Sequence, residues 1–298
     1  MMRVKAYAKV NLFLEITGKR PDGYHTLSTV FQTISLADEI ALRPSPDLRL
    51  ACSDATLPVD ERNLAMRAAI RLLGERVSEK ASKRVSNASP HSPTRSLAHS
   101  LVHITLTKNI PLGAGLGGGS SDAAAVLIGL SKFWRRRLPT SALQRCAKGL
   151  GADVPFFLTG GTCLGQGIGD RIKKLPALPK TWLVLVYPGF GVSTREAYAR
   201  VRLPVKGLRS VHRFIKSLPT GNKEWPSQLF NRFEEFVFPQ YPELSRIKQG
   251  LLQAGARGAL MSGSGSTVFG VAATEAQGRE ILAQFRKKYP QSWLVHTL

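Results

Sequence analysis

Five glycines fall between positions 113 and 119, namely Gly113, Gly115, Gly117, Gly118 and Gly119, and Ser120, Ser121 and Asp122 follow directly. Glycine has no Cβ, so backbone N–H groups in such a run can approach a ligand closely and adopt positive φ without strain. Residues 101–107 (LVHITLT) alternate apolar and polar side chains, the period of a half-buried strand. Residues 123–134 (AAAVLIGLSKFW) carry apolar side chains at helical spacing. A glycine turn from strand to helix exposes the helix's unpaired first N–H groups and the positive end of its dipole. That arrangement suits a polyphosphate. The candidate cradle is Pro111, Leu112, Gly113, Ala114, Gly115, Leu116, Gly117, Gly118, Gly119, Ser120 and Ser121.

Three further groups could do chemistry. Lys9 and Asn11 interrupt the apolar run of residues 5–16 (KAYAKVNLFLEI). A lysine there is expensive to bury unless it meets an anion; the alternative is an edge strand with Lys9 reaching out to water. Asp153 lies between an apolar helix end and Val154-Pro155-Phe156-Phe157. It reads either as a turn or cap residue or as a carboxylate able to accept a hydroxyl proton. Tyr24 and His25 follow a Pro21-Asp22-Gly23 turn signal. They offer an aromatic face and a hydrogen-bonding imidazole, or else are incidental surface.

The glycine run satisfies G-x-G-x-x-G at Gly113, Gly115 and Gly118, but a dinucleotide site wants an acidic residue about 20 positions on. No Asp or Glu occurs between Asp122 and Asp153, and Arg135-Arg136-Arg137 occupies that region. A P-loop is excluded because no Gly-Lys-Ser/Thr follows. A mobile linker is a poor description of a stretch that begins with proline and enters a helix directly.

PLGAGLGGGSSDAAA resembles the second motif of the GHMP kinase superfamily, whose glycine loop wraps the ATP phosphates. AKVNLFLEITGKRPDGYH resembles the first motif of those members whose alcohol substrate carries a cytidine diphosphate group, and LGADVPFFL their catalytic aspartate segment. Residues 190–198 (FGVSTREAY) and Met261 to Thr267 (MSGSGST) resemble a substrate-facing element and the third superfamily motif. The resemblance implies an α+β fold of two domains, residues 1–165 binding ATP and residues 166–298 following, with the active site in the cleft between them. It implies ATP and Mg²⁺ as cofactors, with Ser121 a candidate for the metal. Asp153 would accept the hydroxyl proton, Lys9 would steady Asp153 and offset γ-phosphate charge, and Asn11 would lie beside the transferred group. Tyr24 and His25, with Tyr198, would hold the cytosine, since an aromatic face can stack on a pyrimidine and imidazole can bond its edge. Asn231-Arg232-Phe233-Glu234 matches an N-D-x-E pattern with Arg232 in place of the acid, so the resemblance carries no role to position 232. Homoserine, mevalonate and sugar kinases share the glycine loop, but their substrates have no base for Tyr24 and His25 to read.

The elements that must position these groups follow from periodicity. Strands are expected at 26–34 and 40–43, separated by Ser35 to Glu39, and at 182–187 and 292–296. Helices are expected at 63–77, 141–150, 244–254 and 275–288. In the first of these Leu64, Met66, Ala69, Ile70 and Leu73 form the core side and Arg62, Arg67, Arg71 and Arg76 the solvated one. Thr140 or Ser141 is the expected cap of the second. Residues 78–100, rich in Ser, Pro, His and Arg, read as a flexible insertion whose histidines, His91 and His99, lack nearby ligands.

At 298 residues the chain is long enough for two domains. Its three cysteines form no C-x-x-C pair, which suits a reducing cytoplasm better than a disulfide framework or zinc site. Lys5, Lys9 and Asn11 break any signal-peptide core, and there is no apolar run of membrane-spanning length. The net charge of +22 is spread along the chain. Compositional bias explains it first, attraction of phosphorylated substrates second and nucleic acid third. The expected partner is the small-molecule substrate, without nucleic acid or membrane, the chain being a monomer or weak homodimer.

Overall fold

The computed structural model describes residues 1–74, 101–135, 138–202, 207–218 and 224–298. The expected insertion at 78–100, with Arg76, His91 and His99, lies outside the described residues. Two compact units emerge: Met1–Ala6, Asp38–Asn109 and Gly119–Leu158 form the first, and Tyr7–Ala37, Ile110–Gly118 and Thr159–Leu298 the second. Two long strands, β1 (Met2–Lys19) and β2 (His25–Ser45), contribute residues to both.

In the first unit β4 (Leu101–Thr107) pairs antiparallel with the end of β2, Ile40 opposite Leu106, and parallel with β3 (Arg49–Cys52). The alternation read from the sequence is realised, with Val102, Ile104 and Leu106 buried on one face. Against that face pack α1 (residues 64–74), α2 (Gly118–Phe133) and α3 (Thr140–Ala147). Burying each large aliphatic side chain there contributes about 1.5–3 kcal/mol.

Four expectations need correction. The stretch from Ser35 to Glu39 does not break β2, because its polar groups have partners: Ser35 Oγ accepts the His296 N–H, and Asp38 is ion-paired with Lys108. In α1 the buried arc is Ala65, Met66, Ala68, Ala69 and Leu72, while Ile70 is 38% exposed. Arg71 is not simply solvated, since its guanidinium donates to the carbonyls of Cys146 and Lys148 at the end of α3. Neither Thr140 nor Ser141 caps α3. Pro139 stands at its start, its carbonyl accepting from Ala142 and Leu143 N–H at 3.0 and 3.2 Å.

In the second unit β1 pairs parallel with β8 (Phe230–Asn231), and the start of β2 pairs antiparallel with β5 (Thr162–Gly167), which β6 (Arg171–Lys174) extends. A separate antiparallel sheet has the order β11 (Ser292–His296), β7 (Trp182–Val186), β10 (Val268–Ala272), β9 (Ala259–Met261). Its strands are nearly continuous apolar runs, and α8 (Pro242–Gln253) and α9 (Glu275–Arg286) pack against it. Among the described residues no helix is long and apolar enough to cross a membrane.

Candidate active site

Lys9 is not an edge residue reaching for water. It is 4% exposed, and its Nζ donates to Asn11 Oδ1 at 2.5 Å and to the Gly115 carbonyl at 2.7 Å. Asn11 in turn donates through Nδ2 to Thr29 Oγ1 at 2.8 Å, which turns its oxygen toward Lys9. The two residues that interrupt the apolar run are thus bonded to each other and to the glycine loop. Asn11, expected beside the transferred group, uses both ends of its amide on protein atoms.

The glycine loop meets the third motif at backbone distance. Ser262 Oγ donates to the Gly115 carbonyl at 2.9 Å, and Thr267 N–H to the Ala114 carbonyl at 3.1 Å. Gly115 has φ +73°, and a Cβ there would lie 2.0 Å from the Ser262 carbonyl oxygen. Gly263, at φ +57°, would place a Cβ 3.2 Å from Lys9 Nζ. Only glycine fits at position 115, and at 263 any side chain would crowd Lys9. Gly115→Ala should therefore push the loops apart and raise the KM for ATP by at least about tenfold, the scale of roughly one lost charge-assisted contact. Unchanged nucleotide affinity in a folded Gly115→Ala protein would show that this loop does not hold the phosphates.

The third motif is itself braced from behind. Asn231 Nδ2 donates to the carbonyls of Met261 and Gly263, each at 2.7 Å, and Glu234 Oε1 accepts the Met261 N–H at 2.9 Å. Burial pushes the Glu234 carboxyl up, and Lys248 beside it pulls the other way. Arg232, which stands where an acid was expected, is 4% exposed and forms a two-pronged pair with Glu15, Nε and Nη2 each 2.7 Å from a carboxylate oxygen. It ties β8 to β1, the strand that carries Lys9.

The Pro-Asp-Gly turn forms as expected: Gly23 N–H donates to the Arg20 carbonyl at 3.0 Å and Arg20 pairs with Asp22. Tyr24 beyond it is 62% exposed. The His25 ring stacks on Tyr198 with centroids 5.1 Å apart and planes 19° off parallel, and Tyr198 meets Phe233 edge-on. Tyr198 lies on α5 (Thr194–Ala199), capped by Ser193 accepting from Glu196 N–H. The segment before α5 is bonded to both loops: Val192 N–H to the Gly113 carbonyl at 3.2 Å, and Thr194 Oγ1 with Ser264 Oγ at 2.9 Å. Burial, with Lys19 nearby, lowers the His25 pKa below 6.5, so its ring is neutral at pH 7.

Gly118 and Gly119 already belong to the first turn of α2, and in the first unit Ser121 is buried. Gly151 packs against this turn, a Cβ built there lying 3.3 Å from Ser120 Oγ. Two residues on, Asp153 precedes α4 (Val154–Thr159), its carbonyl accepting from Phe156 and Phe157 N–H at 3.1 and 3.3 Å. The loop bearing Asp153 thus packs, through Gly151, against Ser120 in the first turn of α2. The first unit also holds a buried cluster that sequence reasoning missed. Lys108 Nζ bridges Asp38 and Asp122, the latter at 2.7 Å, and Asp38 Oδ1 accepts the Asn109 N–H. Burial, with Asp38 alongside, pushes the Asp122 carboxyl up to about 7, and Lys108 opposes the shift. Apart from an Asp at the helix start, no local pattern announces this cluster.

Comparison with known proteins falls on the same segments. The GHMP kinase N-terminal domain matches residues 64–161 and the GHMP kinase C-terminal domain residues 214–291. A 4-diphosphocytidyl-2-C-methyl-D-erythritol kinase of Citrifermentans bemidjiense is 41% identical over 288 residues, spanning 96% of this chain and 95% of that protein. Its counterpart from Moorella thermoacetica is 39% identical over 305 residues, spanning 100% and 99%. A crystal structure of 4-(cytidine 5'-diphospho)-2C-methyl-D-erythritol kinase superposes with a TM-score of 0.77 at 34% identity, covering 99% of each chain. Mevalonate kinase from L. major, at TM-score 0.69 and 20% identity, shares the fold.

Proposed function

The chain belongs to the GHMP kinases and, within them, to the 4-diphosphocytidyl-2-C-methyl-D-erythritol kinases, and we propose that it transfers the γ-phosphoryl group of ATP to the 2-hydroxyl of that cytidylyl alcohol. The step belongs to non-mevalonate isoprenoid synthesis. Asp153 takes the hydroxyl proton as the oxygen attacks the γ-phosphorus, and ADP leaves. Lys9, buried and aimed at the loop carbonyl of Gly115, places a positive charge beside the phosphates. Phosphoryl transfer asks a protein mainly for positioning and charge neutralisation, and the two interlocked glycine loops with Lys9 suit both. The close approach of the two loops at Gly115 and Gly263 fixes their backbone beside Lys9, the feature that suits a nucleotide's phosphates.

Among the described residues no cluster of three or more His, Cys, Asp or Glu could cage a metal. A Mg²⁺ bound together with ATP would need only one or two protein oxygens. Ser121, in the first turn of α2, and Asp153 are the residues offered to it, and the ion would supply further charge neutralisation when bound. We divide the chain functionally into residues 1–165, which bind ATP, and residues 166–298.

The observation that carries the substrate assignment is the His25–Tyr198 stack beside exposed Tyr24. An aromatic platform with a neutral imidazole suits a pyrimidine, whereas homoserine or mevalonate has no ring to place there. Base stacking is worth about 1–3 kcal/mol, or roughly 5- to 150-fold in affinity. Tyr24→Ala, His25→Ala and Tyr198→Ala should each raise the KM for the cytidylyl substrate on that scale and leave the KM for ATP unchanged. Because the His25 pKa is lowered below 6.5, protonation intervenes only at more acid pH. Affinity for the cytidylyl substrate should be flat around neutral pH and weaken only in acid, and His25→Ala should abolish the acid limb. The decisive comparison is kcat/KM for the alcohol with and without its cytidylyl group. Equal values would show that these rings read no base.

A further inference from the structure

A cavity of about 900 Å³ opens in the second unit, and none of the residues assigned above to catalysis or substrate binding lines it. Phe13 and Phe214 line it, their rings stacked 5.4 Å apart, and Arg209, Arg213 and Lys216 surround them with Ser227 opposite. Arg213 and Lys216 share one face of α6 (Val211–Ser217), being three residues apart on a helix. Among the described residues none of these three cations has an ion-pair partner, and no carboxylate lines the cavity. Elsewhere on the surface Arg20, Arg49 and Arg62 each have an Asp two residues away.

The rim is also fixed in place. Glu15 Oε2 accepts the Arg209 N–H at 2.8 Å, and Arg232 Nη2 donates to the Gly207 carbonyl at 3.0 Å. The Glu15–Arg232 pair is buried, at 1% and 4% exposure, so the segment that carries Arg209 is anchored to the interior. The Arg209 guanidinium then lies over the Phe230 ring, 4.5 Å from its centroid. Glu15 is thus already paired with Arg232, and it holds the rim through the Arg209 backbone N–H. Three uncompensated cations around an aromatic floor attract multiple negative charge, and two guanidinium forks favour phosphate geometry. The volume admits a nucleotide-sized molecule.

We infer that this cavity is a second binding site, for a small organic polyphosphate, separate from the kinase site. The inference stands whether or not the kinase reading holds, because it uses none of that reading's residues.

Inorganic tripolyphosphate at about 1 mM, a concentration that reveals modest affinities, is the probe. Amide hydrogen exchange read by peptide separates the two places it can bind. In the wild-type chain it should slow exchange both over 208–217 and over the glycine loop. In the double variant Arg213→Glu/Lys216→Glu, both positions being exposed, protection over 208–217 should be lost and that over the glycine loop kept. The apparent affinity read over 208–217 should fall at least about tenfold, the scale of losing two charge-assisted contacts. It should also weaken as salt rises to about 0.5 M in the wild type. The milder Arg213→Gln/Lys216→Gln pair should show an intermediate loss, with melting temperature unchanged in both variants. Two results would overturn the inference. One is no protection over 208–217 in the wild type, or equal protection in both proteins. The other is a tenfold rise of the KM for either kinase substrate in the double variant, which would make the cavity part of the kinase site.

Discussion

Asp153→Asn should lower kcat by at least about 10²-fold, the usual scale for loss of a general base, while ATP binds with unchanged affinity. The amide has nearly the shape of the carboxylate but cannot take the proton. The backbone role of residue 153, accepting the first N–H groups of α4, does not depend on the side chain, so the helix should persist. Lys9→Ala should behave differently. Its Nζ bonds the Gly115 carbonyl, so its removal frees the glycine loop as well as a positive charge, and both kcat and the KM for ATP should suffer. Steady-state kinetics in both substrates, with calorimetric titration of ATP, separates the two patterns. Turnover close to wild type in Asp153→Asn would remove this residue from the chemistry and leave the proton acceptor to be found elsewhere.

Lys108→Met should be the most destabilising single change outside the apolar cores. It leaves Asp38 and Asp122 buried together with no cation between them, Asp38 being 0% and Asp122 2% exposed. Breaking a buried charge pair on one side costs about 3–5 kcal/mol. At roughly 2–4 °C per kcal/mol for a unit of this size, the melting temperature should fall by about 6–20 °C. Asp122→Asn, which lowers the negative charge while keeping the shape, should be far milder and should partly rescue Lys108→Met. The Asp122 carboxyl is raised from 3.8 to about 7, so between those values the folded chain holds a proton that the unfolded chain has released. With more protons bound in the native state, this group's contribution to stability falls as pH rises through that window. Asp122→Asn should flatten that part of the stability profile. A Lys108→Met protein melting within a degree or two of wild type would show that the cluster is neutralised in some other way.

The local devices were legible because their signals are covalent neighbours. The alternation of residues 101–107 became β4 with the same bounds, since a strand with one wet face needs period two. The glycine run declared a turn into a helix, and Pro-Asp-Gly declared its own turn. The misreadings came where a local signal was outweighed by a distant partner. Ser35 and Asp38 looked like a break, yet β2 runs through them because His296 and Lys108 receive their polar groups. Arg71 looked solvated, yet it closes the end of α3.

By itself, then, the sequence determined the chemical parts: a glycine loop, one lysine in an apolar strand, an aspartate before Val-Pro-Phe-Phe, and a Tyr-His pair after a turn. Tertiary structure decided how those parts are held. Lys9 reaches a carbonyl 106 positions away, Asn231 grips the third motif 30 and 32 positions on, and Arg232 finds Glu15 217 positions back. The replacement of an acid by Arg232 made no sense until Glu15 was beside it. Hydrogen bonds and ion pairs of this kind leave no period in the chain, because either partner alone is an ordinary polar residue. Their energy exists only once folding has excluded water from both and brought them within about 3 Å.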